Sequence, residues 1–253
     1  MRRRMQTRTV HTETSPGPPA ARLIAPQTVR RLLREVADFV FASVCAGCGR
    51  AGTALCAPCE AGLAPHVVRP GSGALPLRAG LAFDGAAAAV LRAVKEDGQT
   101  SLICALRPAL AVAVHDLCAG TDAPRRIDVV VPVPTSRAAF RRRGFRVPEI
   151  LARGTGIPMQ RALAYTRRVQ DQRGLGADER RRNLAGGLIA TRAGAGATAL
   201  IVDDVITTGA TCAEAARALR AAGFRVAGAV AVAATLAGAD GATRRRMSPG
   251  RGR

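Results

Sequence analysis

Two adjacent acids, Asp203 and Asp204, stand between an apolar run and a short hydroxyl-rich segment. The run, residues 199–202, predicts a strand buried on both faces of a parallel sheet. The segment, residues 207–211, has the sequence Thr-Thr-Gly-Ala-Thr and precedes a helical pattern that begins near Cys212. Unpaired backbone N–H groups and the positive end of the helix dipole make such a junction an anion-binding site. We therefore expect a phosphate group in this turn, with two carboxylates beside it.

Carboxylates next to a phosphate site suit a sugar phosphate. They accept hydrogen bonds from neighbouring hydroxyl groups while the turn holds the phosphate, as a ribose 5-phosphate requires. Gly209 lets the backbone approach the phosphate closely, and Thr207, Thr208 and Thr211 add hydroxyl donors. The alternative is an ordinary strand, loop and helix with a solvated acidic turn. Two adjacent acids ending a buried strand are unfavourable without partners, which supports the binding site.

A second cluster consists of two Cys-x-x-Cys pairs separated by a short Gly-containing segment. Its members are Cys45, Cys48, Cys56 and Cys59. Such pairs can place four thiolates tetrahedrally around one zinc ion. A redox pair usually occurs once, whereas this doubled pair lies in a segment too small to build its own core. A structural zinc is therefore favoured over an iron–sulfur cluster or free thiols.

The charge of the chain is strongly positive. Its 253 residues include 38 Lys and Arg against 18 Asp and Glu, which gives a net charge of +20. Almost all of these cations are arginines, which suit bidentate phosphate recognition, so we expect anionic partners. Part of the excess can also reflect a general compositional bias toward Ala, Arg and Gly. Aromatic residues are only 3% of the chain, so any nucleic-acid binding would be mainly electrostatic.

The sequence predicts a cytoplasmic protein without membrane insertion. The best apolar segment, residues 102–118, is interrupted by Arg107, Pro108 and Asp116. The basic start of the chain is not followed by a hydrophobic segment, so no secretory signal is expected. Because the cytoplasm is reducing, the cysteines are expected to be metal ligands or buried thiols and not disulfides. Three isolated cysteines in apolar surroundings are expected to be buried: Cys104, Cys118 and Cys212.

The chain divides by composition into four parts. Residues 1–26 predict a disordered extension, 27–66 an amphipathic helix plus the cysteine element, 78–236 an α/β domain and 237–253 a disordered tail. Strands are expected near residues 80–83, 127–133, 199–202 and 224–234, alternating with helices. Such alternation predicts a parallel sheet whose ligand site lies at the carboxyl ends of the strands.

An arginine-rich loop follows the strand predicted at residues 127–133. That strand ends in Val-Pro-Val-Pro-Thr-Ser, the loop has five arginines between residues 137 and 146 interrupted by small and apolar residues, and a helix is expected from about Pro148 to Arg153. The arrangement repeats the strand, loop and helix of the acidic segment. Residues 163–191 mix arginines with acids and amides, and we predict a mobile arm there.

The acidic segment resembles the motif by which type I phosphoribosyltransferases bind 5-phosphoribosyl 1-diphosphate (PRPP), in which hydrophobic residues and two acids precede a Thr/Ser/Gly loop. The whole chain, from about residue 29 to 235, resembles the ComF family. The matching motifs occur in order: the two cysteine pairs, residues 84–95, Val131-Pro-Val-Pro134, Arg143-Gly144-Phe145, the Gln172/Leu175/Arg180/Asn183 series and the acidic segment. This resemblance implies a type I phosphoribosyltransferase fold, with a Rossmann-like parallel sheet, fused to a small amino-terminal zinc element with four cysteine ligands. Some ComF members are linked to DNA uptake and natural competence.

The resemblance also implies roles for individual residues. Asp203 and Asp204 would bind the ribose hydroxyls, and residues 207–211 the 5-phosphate. The complete set expected to bind PRPP is Asp203, Asp204, Val205, Thr207, Thr208, Gly209, Ala210, Thr211, Pro134, Thr135, Arg137 and Arg143. Mg2+ would accompany PRPP, and the arm from Arg167 to Asn183 would be the catalytic loop. Its Arg167 and Arg180 are expected to be catalytic together with the two acids.

The chain departs from the ComF pattern at two places. Family members often have Asn-Gln after Arg-Gly-Phe, where this chain has Arg146 and Val147. A Phe-Pro pair often precedes the first cysteine, where this chain has Phe41-Ala-Ser-Val. The first difference leaves the role of that pair open, and the second changes no expected chemistry.

Two functions follow from these expectations. An enzyme would transfer ribose 5-phosphate from PRPP to an acceptor that the sequence does not identify, and would release diphosphate. A non-enzymatic ComF-like adaptor in DNA uptake would instead contact single-stranded DNA or a competence-type helicase through its arginine surface. A solvated basic surface without a nucleic-acid role is an equally valid interpretation of the arginines.

Overall fold

The fold is taken from a computed structural model of the chain, which describes residues 44–71, 73–120, 126–166 and 186–236. The helices are α1 Ala57–Ala61, α2 Gly85–Glu96, α3 Ile103–Cys118, α4 Arg137–Arg143, α5 Val147–Arg153 and α6 Ala210–Ala221, with a 3-10 turn at Thr100–Leu102. The strands are β1 Leu77–Ala82, β2 Val129–Pro132, β3 Leu163–Tyr165, β4 Leu188–Ala190, β5 Thr198–Ile206 and β6 Arg225–Ala234. The predicted extension, first helix and tail, residues 1–26, 27–40 and 237–253, lie outside the described residues.

Four strands form a parallel sheet in the order β1-β6-β5-β2. The register between β5 and β6 shifts at Ala199 and Leu200. There Gly228, with a φ of +156°, brings the backbone so close that a Cβ atom would lie 2.6 Å from the Pro76 carbonyl oxygen. The predicted α/β fold with a parallel sheet is confirmed.

The sheet is buried on both faces. Leu200 and Val202 of β5 pack on one side with Leu106 of α3. Ile201, between them in sequence, packs on the other side with Leu219 of α6. Successive residues of a strand point to opposite faces, so the continuous apolar run fills two cores. The sheet therefore forms the middle layer between helices.

The helix α3 belongs to the first core. Together with the preceding turn, Thr100–Cys118 is the one helix among the described residues that is long and apolar enough to cross a membrane by length and composition. One of its faces is buried against the sheet, and its Asp116 pairs with Arg69 and Arg78. Gly80 of β1 approaches α3 so closely that a Cβ would lie 1.9 Å from the Ala109 carbonyl oxygen. Its packing is that of a core helix.

The structure corrects four local expectations. Strand β5 continues through both acids to Ile206, because Asp203, Val205 and Ile206 remain paired with β6. The arginine-rich loop forms helix α4, with Ser136 accepting a hydrogen bond from the Ala139 amide at 3.2 Å. Both ends of the predicted arm are strands, since β3 and β4 pair antiparallel. Of the three isolated cysteines expected to be buried, Cys104 and Cys118 are exposed.

Candidate functional site

The acidic pair lies near the carboxyl end of β5, an inner strand of the sheet. Asp203 and Asp204 are partly buried, whereas the preceding residues of β5 are fully buried. The Asp204 amide donates a hydrogen bond to Oδ1 of Asp203 at 2.8 Å. Strand pairing thus fixes the backbone of both acids at the edge where ligands bind in parallel α/β sheets.

The turn after β5 provides an open backbone cradle. Gly209 has φ +73° and ψ 0°, a left-handed conformation that glycine adopts without strain. It directly precedes α6, which begins at Ala210, two residues earlier than expected. Thr207 and Thr208 are exposed, and Thr208 Oγ1 accepts from the Ala210 amide at 3.4 Å. The predicted phosphate turn is therefore assembled from contiguous residues, with exposed hydroxyls at the start of a 12-residue helix.

The acidic pair shares its surroundings with one ammonium group. Lys95 Nζ lies 2.7 Å from Asp204 Oδ1. Burial is the main cause that raises the pKa of Asp203 to about 7, and the neighbouring Asp204 charge adds to it. Burial and the same two carboxylates raise the pKa of Tyr165 to about 12 and that of Cys212 above its ordinary value. The site thus holds two carboxylates in a poorly solvated place with a single adjacent ammonium.

The second predicted loop lies beside the first, because β2 pairs with β5 in parallel. The Val133 amide continues the pairing by donating to the Val202 carbonyl at 2.9 Å. Pro134 and Thr135 follow and are partly buried, and Arg137, the first residue of α4, is exposed. Both loops therefore leave the same edge of the sheet.

Arg143 ends the helix α4, and Gly144 follows it with φ +79°. The Nε atom of Arg143 is buried and has no hydrogen-bond partner among the described residues. A buried N–H without a partner is unfavourable and is normally satisfied by protein, water or ligand. This residue, which was expected to bind PRPP, thus offers an unused donor.

Arg146 occupies one of the positions that depart from the ComF pattern. Its guanidinium lies 3.9 Å from the centroid of the Phe140 ring and 3.6 Å from Oε1 of Glu149. Glu149 also accepts from Nε and Nη2 of Arg161 at 2.9 and 2.6 Å. Arg146 therefore connects α4 to α5 by stacking and charge pairing. Its neighbour Val147 is buried in the core.

The cysteine element brings its four thiols together as predicted. The sulfur atoms of Cys45, Cys48, Cys56 and Cys59 all lie within 4.8 Å of one another. Sγ of Cys56 lies 3.5 Å from that of Cys45 and 3.7 Å from that of Cys48. A tetrahedral zinc site with Zn–S bonds of about 2.3 Å places its sulfurs about 3.8 Å apart. The thiols therefore fit a zinc ion held by four cysteines.

The backbone of the element is shaped around the thiols. Gly47 lies within the first cysteine pair, and a Cβ there would lie 2.5 Å from Sγ of Cys59, so a side chain at this position would clash with the second pair. The Cys56 amide donates to Sγ of Cys45 at 3.4 Å, as expected for a thiolate ligand. Ala86, in the first turn of α2, packs against the cysteine cluster. The element thus contacts the helix that also carries Lys95.

Comparison with known proteins identifies the domain. A family model of the phosphoribosyl transferase domain matches residues 108–249, more than half of the chain. The chain belongs to the phosphoribosyltransferase domain family. No curated protein matches the sequence.

Several solved structures resemble this phosphoribosyltransferase domain. The allosteric regulatory enzyme of purine biosynthesis is 25% identical, with 44% of this chain and 23% of that chain covered and a TM-score of 0.26. Adenine phosphoribosyltransferase from Leishmania tarentolae is 15% identical, with 55% and 60% covered and a TM-score of 0.31. The corresponding enzyme from Rhodothermus marinus is 19% identical, with 69% and 85% covered and a TM-score of 0.33. The chain thus spans less than two thirds of the length of the first two.

Sequence reasoning about this phosphoribosyltransferase domain missed one charged member of the site. Local periodicity places Lys95 only at the end of a helix, although it is the sole lysine of the sequence. That compositional fact was the signal that could have drawn attention to it. The predicted catalytic residues Arg167 and Arg180 lie outside the described residues, and their roles stay predictions.

Proposed function

We propose that this domain binds PRPP with Mg2+ and transfers its ribose 5-phosphate to an acceptor. The observation that supports this most strongly is the acidic pair at the end of β5, followed directly by the Gly209 turn and the start of α6. Carboxylates and a phosphate cradle occur there within nine residues, Asp203 to Thr211. Few ligands other than a sugar phosphate need both.

In the proposed complex, Asp203 and Asp204 accept hydrogen bonds from the two ribose hydroxyls. The 5-phosphate occupies the turn, where the backbone N–H groups at the start of α6 and the exposed Thr207 and Thr208 hydroxyls donate to it. Gly209 allows this turn, because a side chain in its left-handed backbone would be strained and its Cβ would lie 2.8 Å from Cδ1 of Leu77. Val205, Ala210 and Thr211 complete the backbone of this site.

The diphosphate is proposed to lie against the loop after β2. Pro134 and Thr135 line the edge beside the acidic pair, and Arg137 is exposed toward solvent at the start of α4. The unpartnered Nε of Arg143 supports a role in binding an anion. Mg2+, when bound with PRPP, would supply further charge neutralisation of the diphosphate.

Transfer would break the bond between the anomeric carbon and the diphosphate oxygen. The diphosphate leaves with the electron pair, the acceptor nucleophile forms the new bond to the anomeric carbon, and the acceptor proton passes to solvent or a base. Positive charge develops on the ribose ring, and nearby carboxylates stabilise it electrostatically. Arg167 and Arg180 are proposed to close over the diphosphate and exclude water.

We also propose that the protein is a member of the ComF family, with zinc in the cysteine element and a cytoplasmic location. The contact between the element and Ala86 of α2 supports this, because α2 also carries Lys95, which contacts Asp204. Asp203, Asp204 and the turn at residues 207–211 are called the phosphoribosyl site below. The acceptor would then enter near the element and α2. A reducing compartment would keep the four thiols available for the metal.

A second candidate is a DNA-uptake adaptor that binds single-stranded DNA or a helicase. Two exposed arginines of α4, Arg137 and Arg141, favour it. Binding of this kind would weaken steeply with salt, would be reduced by Arg141→Glu and would be unchanged by Asp203→Asn. A PRPP enzyme would show the opposite dependence on these two variants.

The deciding experiment is calorimetric titration of PRPP with Mg2+ into wild type and the Asp203→Asn/Asp204→Asn variant. Loss of two hydrogen bonds to charged groups predicts affinity at least about 100-fold weaker. Asp128→Asn is the matched control, because Asp128 lies at the opposite edge of the sheet, where it accepts from the Thr198 amide at 2.9 Å. A titration with ribose 5-phosphate, which lacks the diphosphate, gives the contribution of the diphosphate to affinity by difference. A folded wild type that does not bind PRPP would refute the proposal.

A further inference from the structure

Lys95 is the only lysine among the 38 Lys and Arg residues of this chain. The other 37 of these residues are arginines. The single exception places its ammonium 2.7 Å from Oδ1 of Asp204, a residue 109 positions away. A strong compositional preference for arginine is thus overridden at one position, and that position faces the acidic pair.

The contact depends on where α2 lies. Lys95 is in the last turn of α2, whose first turn contacts the cysteine element through Ala86. For Nζ to reach Asp204, the carboxyl-terminal end of α2 must lie at the carboxyl edge of the sheet, beside the phosphoribosyl site. A basic residue in the last helical turn commonly interacts only with the helix dipole. Lys95 also makes a tertiary ion pair, because its side chain is three-quarters buried and its ammonium contacts the carboxylate of Asp204 in β5.

Lysine and arginine would act differently at this place. An ammonium is a compact point charge, whereas a guanidinium is a planar fork that tends to occupy both oxygens of a carboxylate. Lys95 engages Oδ1 of Asp204, and among the described residues no hydrogen bond engages Oδ2. A monodentate cation thus leaves one oxygen of Asp204 for a ligand hydroxyl.

The electrostatic balance of the site also depends on Lys95. Among the described residues, the titratable groups that interact electrostatically with Asp203 are Asp204 on the same strand, Lys95 from α2, Tyr165 from β3 and Cys212 from α6. Of these, Lys95 supplies the positive charge. It lowers the pKa of Asp203 against the effects of burial and of Asp204, which raise it.

We propose that Lys95 is a positioning residue of the phosphoribosyl site: its ammonium fixes Asp204 through Oδ1 and so presents Oδ2 to the ribose hydroxyls. This inference rests on the proposed PRPP binding. It assigns to α2, and thereby to the region that follows the cysteine element, a direct part in organising the ligand site.

The first test compares PRPP affinity in Lys95→Met, Lys95→Arg and wild type by calorimetry with saturating Mg2+. Loss of a charge-assisted contact predicts binding about 10-fold to 100-fold weaker in Lys95→Met. Lys95→Arg restores the charge but competes for Oδ2, so it should recover only part of the affinity. Lys95→Met should also move the pH at which binding reaches half its maximum upward, because Asp203 would then lose its proton at a higher pH.

A second background shows whether Lys95 acts through Asp204. In an Asp204→Asn protein, residual binding is measured at high PRPP concentration and at a pH well above the pKa of Asp203, so that Asp203 stays ionised with or without Lys95. There Lys95→Met should change affinity by less than about twofold. An effect as large as in wild type would mean that Lys95 does not position Asp204, and would overturn the inference.

The matched control is Arg78→Gln. Arg78 Nε lies 2.6 Å from Asp116 Oδ2, and the two side chains are buried to a similar degree as Lys95 and Asp204. It removes a cation from a similarly buried contact outside the site, where Arg69 still pairs with Asp116, and it should leave PRPP affinity unchanged. If neither wild type nor Arg78→Gln binds PRPP, the proposed function fails. If both bind and Lys95→Met binds equally well, only the present inference fails.

The single lysine allows a direct measurement on wild type. Reductive methylation of amines can modify only Lys95 and the terminal amine, and peptide mass spectrometry distinguishes the two. Bound PRPP with Mg2+ should slow methylation of Lys95 severalfold while that of the terminal amine stays constant. Equal rates of Lys95 methylation with and without saturating PRPP would contradict its place beside the ligand.

Discussion

The cysteine element and the phosphoribosyl site are built in opposite ways. All four thiols come from residues 45–59, and their sulfur atoms lie within 4.8 Å of one another. The phosphoribosyl site begins with an equally short segment, but its counter-charge comes from Lys95, 109 residues from Asp204. A metal site of this type is complete once its loop forms. The site at the sheet edge is complete only when the strands and α2 have assembled.

The two regions also differ in how function relates to stability. In the cysteine element the ligands themselves are the buried centre, since Cys45, Cys56 and Cys59 form its core cluster. The zinc proposed for this element would therefore couple its binding to the folding of the element. At the acidic pair, burial raises the pKa of Asp203 to about 7, so holding it ionised opposes folding. Substitutions that remove a functional side chain should therefore destabilise the cysteine element but should not destabilise the region of the acidic pair.

The largest effect is expected from Cys45→Ser. Removing one thiolate should abolish tight zinc binding and lower the free energy of unfolding of the element by more than about 4 kcal/mol. Zinc content by atomic absorption and denaturant unfolding measure the two consequences. Cys104→Ser, at an exposed thiol outside the cluster, is the control and should change neither. A full zinc equivalent in Cys45→Ser would exclude a site with four cysteine ligands.

A smaller effect is expected from Gly209→Ala at the phosphate turn. The left-handed backbone costs about 1–2 kcal/mol with a side chain, and the new Cβ would lie 2.8 Å from Cδ1 of Leu77. We expect the free energy of unfolding to fall by this amount and PRPP binding to weaken about tenfold.

Gly196→Ala is the matched control for this substitution. Gly196 has φ +80° and no atom within 4 Å of its Cβ position, and it precedes the amino end of β5. Both variants should lose stability, but only Gly209→Ala should lose affinity, by calorimetry. Equal PRPP affinities in the two variants would show that the 5-phosphate does not bind in this turn.

The smallest effect is the pH dependence of stability caused by Asp203. Its pKa is raised from 3.8 to about 7 in the folded protein, so its stabilising contribution is full below pH 3.8 and lost as the pH rises to 7. The melting temperature of wild type relative to Asp203→Asn should therefore fall as the pH rises from 4 to 7.5. Calorimetric melting of the ligand-free proteins measures it. A constant difference across this range would mean that Asp203 titrates normally.

The features read correctly from the sequence are those whose residues are contiguous. A buried strand, two acids and a glycine turn before a helix follow from local periodicity and backbone preferences, and the spacing of the four cysteines correctly predicted that their thiols converge. Even there the boundary was wrong, because pairing with β6 extends β5 through Asp203 and Asp204 to Ile206. The arginine loop was identified, but its helix α4 was not, since the run of arginines has no apolar face that local periodicity could reveal.

By itself, the sequence determined the chemistry that each short segment could perform: carboxylates next to a phosphate turn, and four thiols for one metal. The tertiary structure decided which segments meet. It placed Lys95 on Asp204, Arg146 between Phe140 and Glu149, and the cysteine element against Ala86. The physical reason is that local motifs are set by backbone geometry over a few residues. Contacts over 100 residues depend on strand order and on the path of the connecting helices, which no local pattern encodes.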